Sequence, residues 1–267
     1  MKDLDYFGKL FDLSGRTAVV TGAAQGNGLA IANALELAGA HVIAADITFD
    51  NKQPSTTRNR LNDSVHREVM DVTDEGAVEK AFVKIADRFG SLDILVNNAG
   101  IIYKNPVDEL ELEKFKHVMD TNVNGTVICT KHAVPYMKKN NWGRIVNMSS
   151  SQAFLNSETY SAYSASKASI SHLTRVWGKE LAPFGIIVNA LCPSYVMTPM
   201  MEGSISRKAK ELNSDEQAGY DWFASAVPLK RILSMEEVGH WAVALCSDLS
   251  RAATGTNFAI TGGQVML

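Results

Sequence analysis

A tyrosine and a lysine stand four residues apart in the stretch YSAYSASK, as Tyr163 and Lys167. Positions i and i+4 lie on one face of a helix, one turn apart. A free phenol has a pKa of about 10 and is a poor proton acceptor at neutral pH. A lysine ammonium one turn away favours the phenolate, so the pair could perform acid–base chemistry. An ordinary amphipathic surface pair has the same spacing, and the four residues alone leave both interpretations open.

A glycine-rich turn, TGAAQGNG, separates the first apolar run from the first helical pattern and contains Gly22, Gly26 and Gly28. Glycines permit a tight turn and close backbone approach, and the helix that follows offers unpaired N–H groups and a positive dipole end to a pyrophosphate. The position of the turn, after a strand and before a helix, therefore favours a phosphate site over a plain tight turn.

The second apolar run ends in Asp46, eighteen residues after Gly28. A carboxylate there can accept hydrogen bonds from adenosine ribose hydroxyls and would repel a 2′-phosphate. The neighbouring residues Gln25 and Ile47 are not basic, which favours NAD over NADP, although three basic residues follow at 52–60. The alternative is an aspartate that only caps the following turn.

Short apolar runs alternate with helical patterns along the whole chain. The runs are 17–21, 41–46, 65–69, 92–97, 144–149, 186–192 and 257–260. The helical patterns are 26–38, 74–89, 111–139, 159–182 and 235–247. Apolar strands separated by helices predict an α/β fold, a doubly wound and mostly parallel sheet of seven strands with helices on both faces. Without a linker or repeat, residues 1–267 are interpreted as one domain.

Two segments interrupt this alternation. Residues 48–64 are polar and predict a loop or short helix. Residues 198–228 follow a strand end and predict a lid over a site, because ligands bind at the carboxyl ends of strands in open α/β sheets. The lid segment is too polar to predict a fixed core layer before residue 220.

Composition excludes several classes of protein. The net charge is −3 and no basic run occurs, which argues against nucleic-acid or anionic-membrane partners. Cys129, Cys192 and Cys246 are scattered, which argues against a disulfide framework or a metal site and fits a reducing compartment. The charged N-terminal stretch does not match a signal peptide, and no apolar run reaches the roughly 18 residues of a membrane span. We expect a soluble cytoplasmic protein.

Four further stretches follow one another along the chain: NNAG at 97–100, TNVNG at 121–125, VNMSSS at 146–151 and the tyrosine–lysine pair. Together with the glycine turn, they resemble the short-chain dehydrogenase/reductase family over residues 12–263. The resemblance implies a Rossmann-like fold and an oxidoreductase that uses a nicotinamide cofactor. It also makes a chance pairing of Tyr163 and Lys167 very improbable.

The resemblance implies a catalytic set of Asn122, Ser150, Tyr163 and Lys167. Tyr163 would take the proton of an alcohol as hydride leaves its carbon. Ser149 and Ser151 compete with Ser150 for the substrate oxygen, but the family serine usually stands thirteen residues before the tyrosine. Asn122 would shape its helix and hold a water that relays protons from Lys167.

The same resemblance implies an NAD site spread over several motifs. Asp71 would contact the adenine, residues 98–100 would line the ribose and nicotinamide, and Val196 and Thr198 would hold the carboxamide and a phosphate. The full set is Gly22, Gln25, Gly26, Asn27, Gly28, Asp46, Ile47, Asp71, Val72, Asn98, Ala99, Gly100, Tyr163, Lys167, Pro193, Val196 and Thr198. Asn27 and Ser194 depart from the usual isoleucine and glycine, which leaves the catalytic set intact.

The substrate is expected to contact Ser150, Gln152, Tyr163 and Tyr195. Polar residues here, with Asn156 and Glu158, favour a polyol, sugar or sugar acid, because a site built to bind hydroxyls is left unsatisfied by an apolar ligand. The alternative is an apolar pocket for a steroid-like or aromatic alcohol, formed by Trp222, Phe223 and the methionines at 197, 200 and 201. Acyl-thioester reduction normally uses NADPH, which Asp46 disfavours. A non-catalytic NAD-binding sensor would be another class, which the complete catalytic set disfavours.

Two predicted helices, 111–139 and 159–182, carry more apolar positions than one sheet-facing stripe requires. These are Val123, Val127, Ile128, Val134 and Met137 on the first, and Ile170, Leu173, Val176 and Trp177 on the second. Surplus apolar surface is often buried against another subunit. Proteins of the resembled family commonly pair through these helices, so we expect a homotetramer; a thick monomer core is the alternative.

Overall fold

The apolar runs form seven strands of one sheet in the computed structural model, which describes residues 2–49, 61–62 and 64–266. The strands are β1 Thr17–Thr21, β2 His41–Asp46, β3 His66–Val69, β4 Ile94–Asn97, β5 Gly143–Met148, β6 Ile186–Pro193 and β7 Asn257–Ile260. Their order is β3-β2-β1-β4-β5-β6-β7, and every neighbouring pair is parallel. The predicted doubly wound α/β fold is confirmed.

Helices connect the strands and cover both faces of the sheet. They are α1 Lys2–Phe11, α2 Gly26–Leu37, α3 Glu75–Phe89, α4 Leu112–Met119, α5 Gly125–Asn140, α6 Ser161–Leu181, α7 Pro199–Glu211, α8 Glu216–Ser225 and α9 Met235–Cys246. Local signals fix several ends: Asp74 caps α3, which ends at the left-handed Gly90, and Ser234 and Glu237 form a capping box on α9. Within the described ranges, no helix has the length and apolar character to cross a membrane.

Alternate residues of each strand enter cores on opposite sides of the sheet. Val20 and Val96 pack with Leu35 and other side chains on the α2/α9 side. Val19 and Leu95 pack on the α3/α5 side. Strands β1, β4 and β5 are buried along their whole length, which explains why their sequences are continuous apolar runs instead of alternating ones.

The helix predicted over 111–139 is present from Leu112 to Asn140 but is not α-helical throughout. A π-helical turn at Asp120–Asn124 separates α4 from α5. Within it, the buried Asn122 side chain binds the backbone of Ile101, whose N–H donates to Oδ1 at 2.8 Å and whose carbonyl accepts from Nδ2 at 3.0 Å. Turns of this kind break the i→i−4 pattern and often mark functional sites.

The segment 198–228 folds into α7 and α8 and has a core of its own. Met201, Ile205 and Ile232 are buried together, and Tyr195, Met197, Tyr220 and Phe223 pack against them. The expectation that no fixed core layer forms before residue 220 is therefore wrong. Apolar residues at helical spacing in α7 find a partner in Ile232, which is distant in the sequence. The expected loop at 48–64 falls mainly outside the described residues, as do the basic residues at 52–60.

The sheet order changes direction between β1 and β4, which are hydrogen-bonded neighbours. Connections leave these two strands toward opposite sides, so a crevice opens beyond their carboxyl ends. Ligands of doubly wound sheets bind in this crevice. Both the glycine turn after β1 and the NNAG stretch at the end of β4 are brought to this point.

Candidate active site

The glycine turn packs tightly against the end of β4. Gly22 has a φ of 62°, and a Cβ there would lie 2.7 Å from the Cα of Ala99. A Cβ on Gly28 would lie 2.3 Å from the carbonyl oxygen of Gly22. Side chains cannot approach so closely, so both glycines are required by the packing of the chain on itself. Gly28 does not line the cavity described below.

The start of α2 forms the end of the site that would bind phosphate groups. Gln25 precedes the helix, and its side chain makes no capping hydrogen bond to it. Gly26 has a φ of 60°, and a Cβ there would meet Thr198 at 3.7 Å across the cavity. The first N–H groups of a helix lack intrahelical partners, and the dipole adds positive potential. The residues present therefore fit the pyrophosphate of a dinucleotide, with Asn27 also lining the cavity.

Asp46 lies at the end of β2, nearly buried, with its carboxylate held by the protein. Oδ2 accepts from the backbone N–H of Ala24 at 3.0 Å. Oδ1 accepts from the Thr48 N–H at 2.9 Å and from its hydroxyl at 2.7 Å. A carboxylate has about four acceptor positions, so one position on Oδ2 is left for a ribose hydroxyl. The turn-capping role and the ribose role are compatible here, and the exposed Ile47 lies beside the same cavity.

Side chains at the ends of β3 and β4 complete this half of the cavity. The Asn98 amide donates to the carbonyl oxygens of Thr21 and Gly22, both at 2.9 Å, so its hydrogens are used in holding the glycine turn. Asp71 accepts two bonds from Thr73 through Oδ1, which leaves Oδ2 without a donor among the described residues. Val72, Ala99 and Gly100 also line the cavity.

Helix α6 brings Tyr163 and Lys167 to the opposite half of the cavity, beside the end of β5. The Lys167 ammonium donates to the carbonyl oxygen of Met148 at 2.7 Å and lies 5.5 Å from the centre of the Tyr163 ring. Ser150 follows β5, and its hydroxyl accepts from the Gln152 N–H at 3.2 Å. The Ser149 hydroxyl is used in bonds to the backbone of Lys167 and to Ser171. The Ser149 hydroxyl is therefore engaged within the protein.

Asn122 does not line the cavity, although it was predicted in the catalytic set. Its amide is fully engaged, since Nδ2 also donates to the Ser166 hydroxyl at 3.0 Å. A Cβ on Gly100 would lie 3.2 Å from its Oδ1 and 3.6 Å from the Lys167 ammonium. The Asn122 amide and the Lys167 ammonium therefore both lie beside Gly100, and the bonds of Asn122 hold the π-helical turn against Ile101.

The expected phenolate depends on the Lys167 ammonium together with an oxidised nicotinamide ring, and the chain by itself supplies only the ammonium. Burial raises the pKa of Tyr163 to about 12, and a hydrogen bond with Ser150 offsets only part of this rise. Burial also lowers the pKa of Lys167 to about 8. Removal from water penalises the charged form of both groups, and the ammonium is directed at Met148 instead of the phenol oxygen. The chain alone therefore holds Tyr163 as a neutral phenol.

The segment after β6 forms a third side of the cavity. Val196 pairs with Leu233, and the Met197 N–H donates to the Leu233 carbonyl at 2.8 Å. Thr198 caps α7 by accepting from the Met201 N–H at 3.2 Å. These bonds fix Pro193, Val196 and Thr198 along the cavity wall, where they were predicted.

One cavity of about 530 Å³ connects these parts. It is lined by every predicted site residue except Gly28 and Asn122, including Gln152 and Tyr195. The predictions missed several lining residues: Ile101, Ile102, Lys104, His117, Thr121 and Arg207. Arg207 falls within the predicted lid 198–228, and its helical spacing with Met200 and Ser204 is a signal for it. His117 lies on α4 and Thr121 in the π-helical turn, whereas Ile101, Ile102 and Lys104 lie on the loop after β4.

The fold and site define an oxidoreductase that uses a nicotinamide cofactor, and comparison with known proteins agrees. Residues 22–264 match the family described as Enoyl-(Acyl carrier protein) reductase, adh_short_C2. The chain belongs to the short-chain dehydrogenase/reductase family.

Individual relatives cover nearly the whole chain. It is 32% identical over 252 residues to D-beta-hydroxybutyrate dehydrogenase of Rhizobium meliloti, covering 93% of this chain and 98% of the relative. It is 35% identical over 255 residues to 3-oxoacyl-(acyl-carrier-protein) reductase of Thermotoga maritima, covering 95% and 99%. The structure of Thermoplasma acidophilum aldohexose dehydrogenase has a TM-score of 0.83 and 29% identity, covering 94% of each chain. Alcohol/ketone redox chemistry is therefore the activity of this chain.

Proposed function

We propose that this protein is an NAD-dependent dehydrogenase that oxidises a secondary alcohol of a polyol, sugar or sugar acid, or reduces the matching ketone. The observation that carries the proposal is the single cavity that joins two kinds of site. One end holds Ser150, Tyr163 and Lys167, and the other holds the glycine turn and Asp46.

The proposed chemistry assigns each catalytic side chain one task. When bound, the oxidised nicotinamide supplies a hydride acceptor and a positive charge beside the buried phenol. Tyr163 reacts as the phenolate that this positive charge favours. It takes the hydroxyl proton of the substrate as hydride leaves the carbinol carbon, and the Ser150 hydroxyl holds the substrate oxygen. Lys167 has two N–H groups beyond its bond to Met148. In this proposal they bind a ribose hydroxyl and pass the proton to a water held near the backbone of Asn122.

The preference for NAD is supported by the charge at the adenosine end. Asp46 and Asp71 are the acidic side chains of the cavity, and both lie there. A 2′-phosphate beside Asp46 would face a fixed carboxylate that is already oriented by Ala24 and Thr48. Like charges brought together at a binding site are strongly unfavourable.

A hydroxylated substrate is supported by the polar wall around Tyr163. Gln152 is 8% exposed, and its side-chain oxygen lacks a hydrogen-bond partner within the described chain. The relatives named above include enzymes described as acting on hydroxybutyrate and on aldohexoses. Trp222 and Met197 do not line the cavity. An apolar cyclic alcohol is the second candidate, since Phe223, Met200 and Met201 do form one wall.

Residues 198–228 are proposed to act as a lid. α7 and α8 leave the carboxyl end of β6 and cover the cavity through Met200, Ser204 and Phe223. Hydrogen exchange of backbone amides over 198–228 should slow when NAD and substrate are both bound, because closure excludes water. Unchanged exchange would rule out a closing lid.

A homotetramer is proposed as the assembled state. Met137 and Ile170 are buried in the chain's own core, so the apolar surplus is smaller than the sequence predicts. Val127 on α5 and Val176 on α6 remain exposed, as does Met266 near the end of the chain. Light scattering at micromolar concentration should give four times the chain mass, and a monomer mass would contradict the proposal.

The function itself is tested by a turnover screen with NAD. Purified protein would be assayed for NADH formation with polyols, sugar acids, 3-hydroxybutyrate and hydroxysteroids. Turnover confined to the hydroxylated substrates is the expected result. Turnover confined to hydroxysteroids would favour the second candidate, and no turnover with any alcohol, together with intact NAD binding, would favour a non-catalytic role.

A further inference from the structure

Charge is distributed unevenly along the cavity. Its acidic lining residues, Asp46 and Asp71, lie at the adenosine end. Apart from the catalytic Lys167, its cationic lining residues within the described part of the chain are Lys104 and Arg207. Neither of these two side chains makes an ion pair with an acidic residue of the described chain. Two unpaired cations are thus available to an anion that enters the cavity.

Lys104 is placed close to the reacting phenol. Its ammonium lies 4.3 Å above the centre of the Tyr160 ring, and that ring meets the Tyr163 ring edge-on at 6.4 Å. The ammonium is therefore separated from Tyr163 by one aromatic ring. A cation on an aromatic face keeps its N–H groups on the far side free to bind an anion.

A strained turn maintains this arrangement. Thr159 has a φ of 68°, which is rare for a β-branched residue and usually persists where a functional site depends on it. Its carbonyl oxygen accepts from the Asn105 N–H at 2.9 Å. This bond joins the residue before Tyr160 to the residue after Lys104, so the two side chains are held in register.

Arg207 approaches from the lid. Met200, Ser204 and Arg207 recur at i, i+4 and i+7 on α7, and all three line the cavity. One guanidinium nitrogen of Arg207 donates to the Ser204 hydroxyl at 3.0 Å. A guanidinium has five N–H groups in a fork that matches a carboxylate, so the others remain available.

Gln152 adds a buried polar group to the same half of the cavity. It is 8% exposed, its side-chain oxygen lacks a protein partner in the described residues, and it lies two positions after Ser150. A buried amide without partners is costly, so a ligand group is expected to pair with it.

We infer that the substrate carries a carboxylate, bound by Lys104 and Arg207. The side-chain oxygen of Gln152 accepts a hydrogen bond from a substrate hydroxyl. This inference rests on the proposed dehydrogenase function and narrows it to hydroxy acids, with the sugar acids among them. Arg207 would bind only when the lid lies over the cavity, so the carboxylate also draws the lid closed.

The test compares acids with their neutral counterparts in three variants. Lys104→Met, Arg207→Met and the double variant would be assayed with gluconate and 3-hydroxybutyrate, and with the neutral glucitol and methyl 3-hydroxybutyrate. Lys210→Met is the matched control, because Lys210 is exposed on α7 and does not line the cavity. The wild type should prefer each acid over its neutral counterpart in kcat/KM.

Each single variant should raise KM for the acids about tenfold, and leave KM for the neutral compounds and for NAD unchanged. An equal rise in KM for the acids and for the neutral compounds would overturn the inference. A rise confined to KM for NAD would also overturn it, because the cations would then bind the cofactor phosphates.

Calorimetric titration of the NADH complex with gluconate and 3-hydroxybutyrate separates this inference from the proposed function. If the acids bind the wild type more tightly than the double variant, the carboxylate site is supported even if turnover is absent. If only neutral alcohols are turned over, the carboxylate site is contradicted and the proposed dehydrogenase function still stands.

Discussion

Replacing Lys167 with methionine should change how the stability of the protein depends on pH. Burial lowers the pKa of Lys167 from the ordinary 10.5 to about 8 in the folded protein. Between these two values the unfolded lysine holds a proton that the folded lysine has lost. The unfolded state binds more protons there, so the stability contributed by this group rises as pH increases.

The magnitude follows from the size of the pKa change. One pKa unit corresponds to about 1.4 kcal/mol, so this lysine should add about 1 kcal/mol of stability from about pH 7 to about pH 9. Lys167→Met removes the titrating group and should lose this increase. It also leaves the Met148 carbonyl without its donor, which costs about 1–3 kcal/mol at every pH.

The assay is urea unfolding at fixed protein concentration at several pH values. Burial raises the pKa values of Cys129 and Cys246 to about 12 and of Cys192 to about 11, which acts in the opposite direction. The three cysteines are present in both proteins, so their contributions cancel in the difference between wild type and variant, apart from the electrostatic coupling of Cys192 to Lys167. The exposed Lys179→Met variant of the same helix controls for loss of a lysine as such. A difference between wild type and Lys167→Met that stays constant with pH would refute the reasoning.

Three further predictions concern the cofactor and the backbone. The wild type should favour NAD over NADP by at least about tenfold in kcat/KM, or about 1.4 kcal/mol, and Asp46→Asn should narrow this ratio by removing the charge; an unchanged ratio would mean that Asp46 does not select the cofactor. Gly22→Ala should destabilise the protein by about 2 kcal/mol or more, because the new Cβ would lie 2.7 Å from Ala99; a cost below the error of urea unfolding would contradict this. Thr159→Gly should raise the free energy of unfolding by about 1 kcal/mol, because glycine tolerates the positive φ of this position. The same variant should raise KM for acids. A lower free energy of unfolding would contradict the claim that Thr159 is strained.

The strands and the glycine turn could be predicted because their signals are local. β1, β4 and β5 are buried along their length and therefore read as continuous apolar runs. The tyrosine–lysine spacing similarly needs only one helix to bring both side chains to one face. These features lie at the carboxyl edge of the sheet because the strand order places them there.

Features that depend on distant partners could not be predicted. The π-helical turn exists because Asn122 binds Ile101, twenty-one positions earlier in the chain. The buried face of α7 needs Ile232, and the position of Lys104 needs the bond between Asn105 and Thr159. The effect of burial on the pKa values of Tyr163 and Lys167 could not be predicted either, because the sequence shows that the two residues are neighbours but not how far they are removed from water.

The turnover of Tyr163→Phe with NAD and the best substrate of the screen tests the central claim most directly. The partly buried Tyr136→Phe, outside the cavity, is the matched control. We predict that Tyr163→Phe binds NAD as the wild type does while kcat falls by about 10²–10⁴, and that Tyr136→Phe keeps its rate. A Tyr163→Phe variant that retained more than about a tenth of the wild-type kcat would assign less than about 1.4 kcal/mol of the barrier to this hydroxyl, and would contradict its role as the proton acceptor.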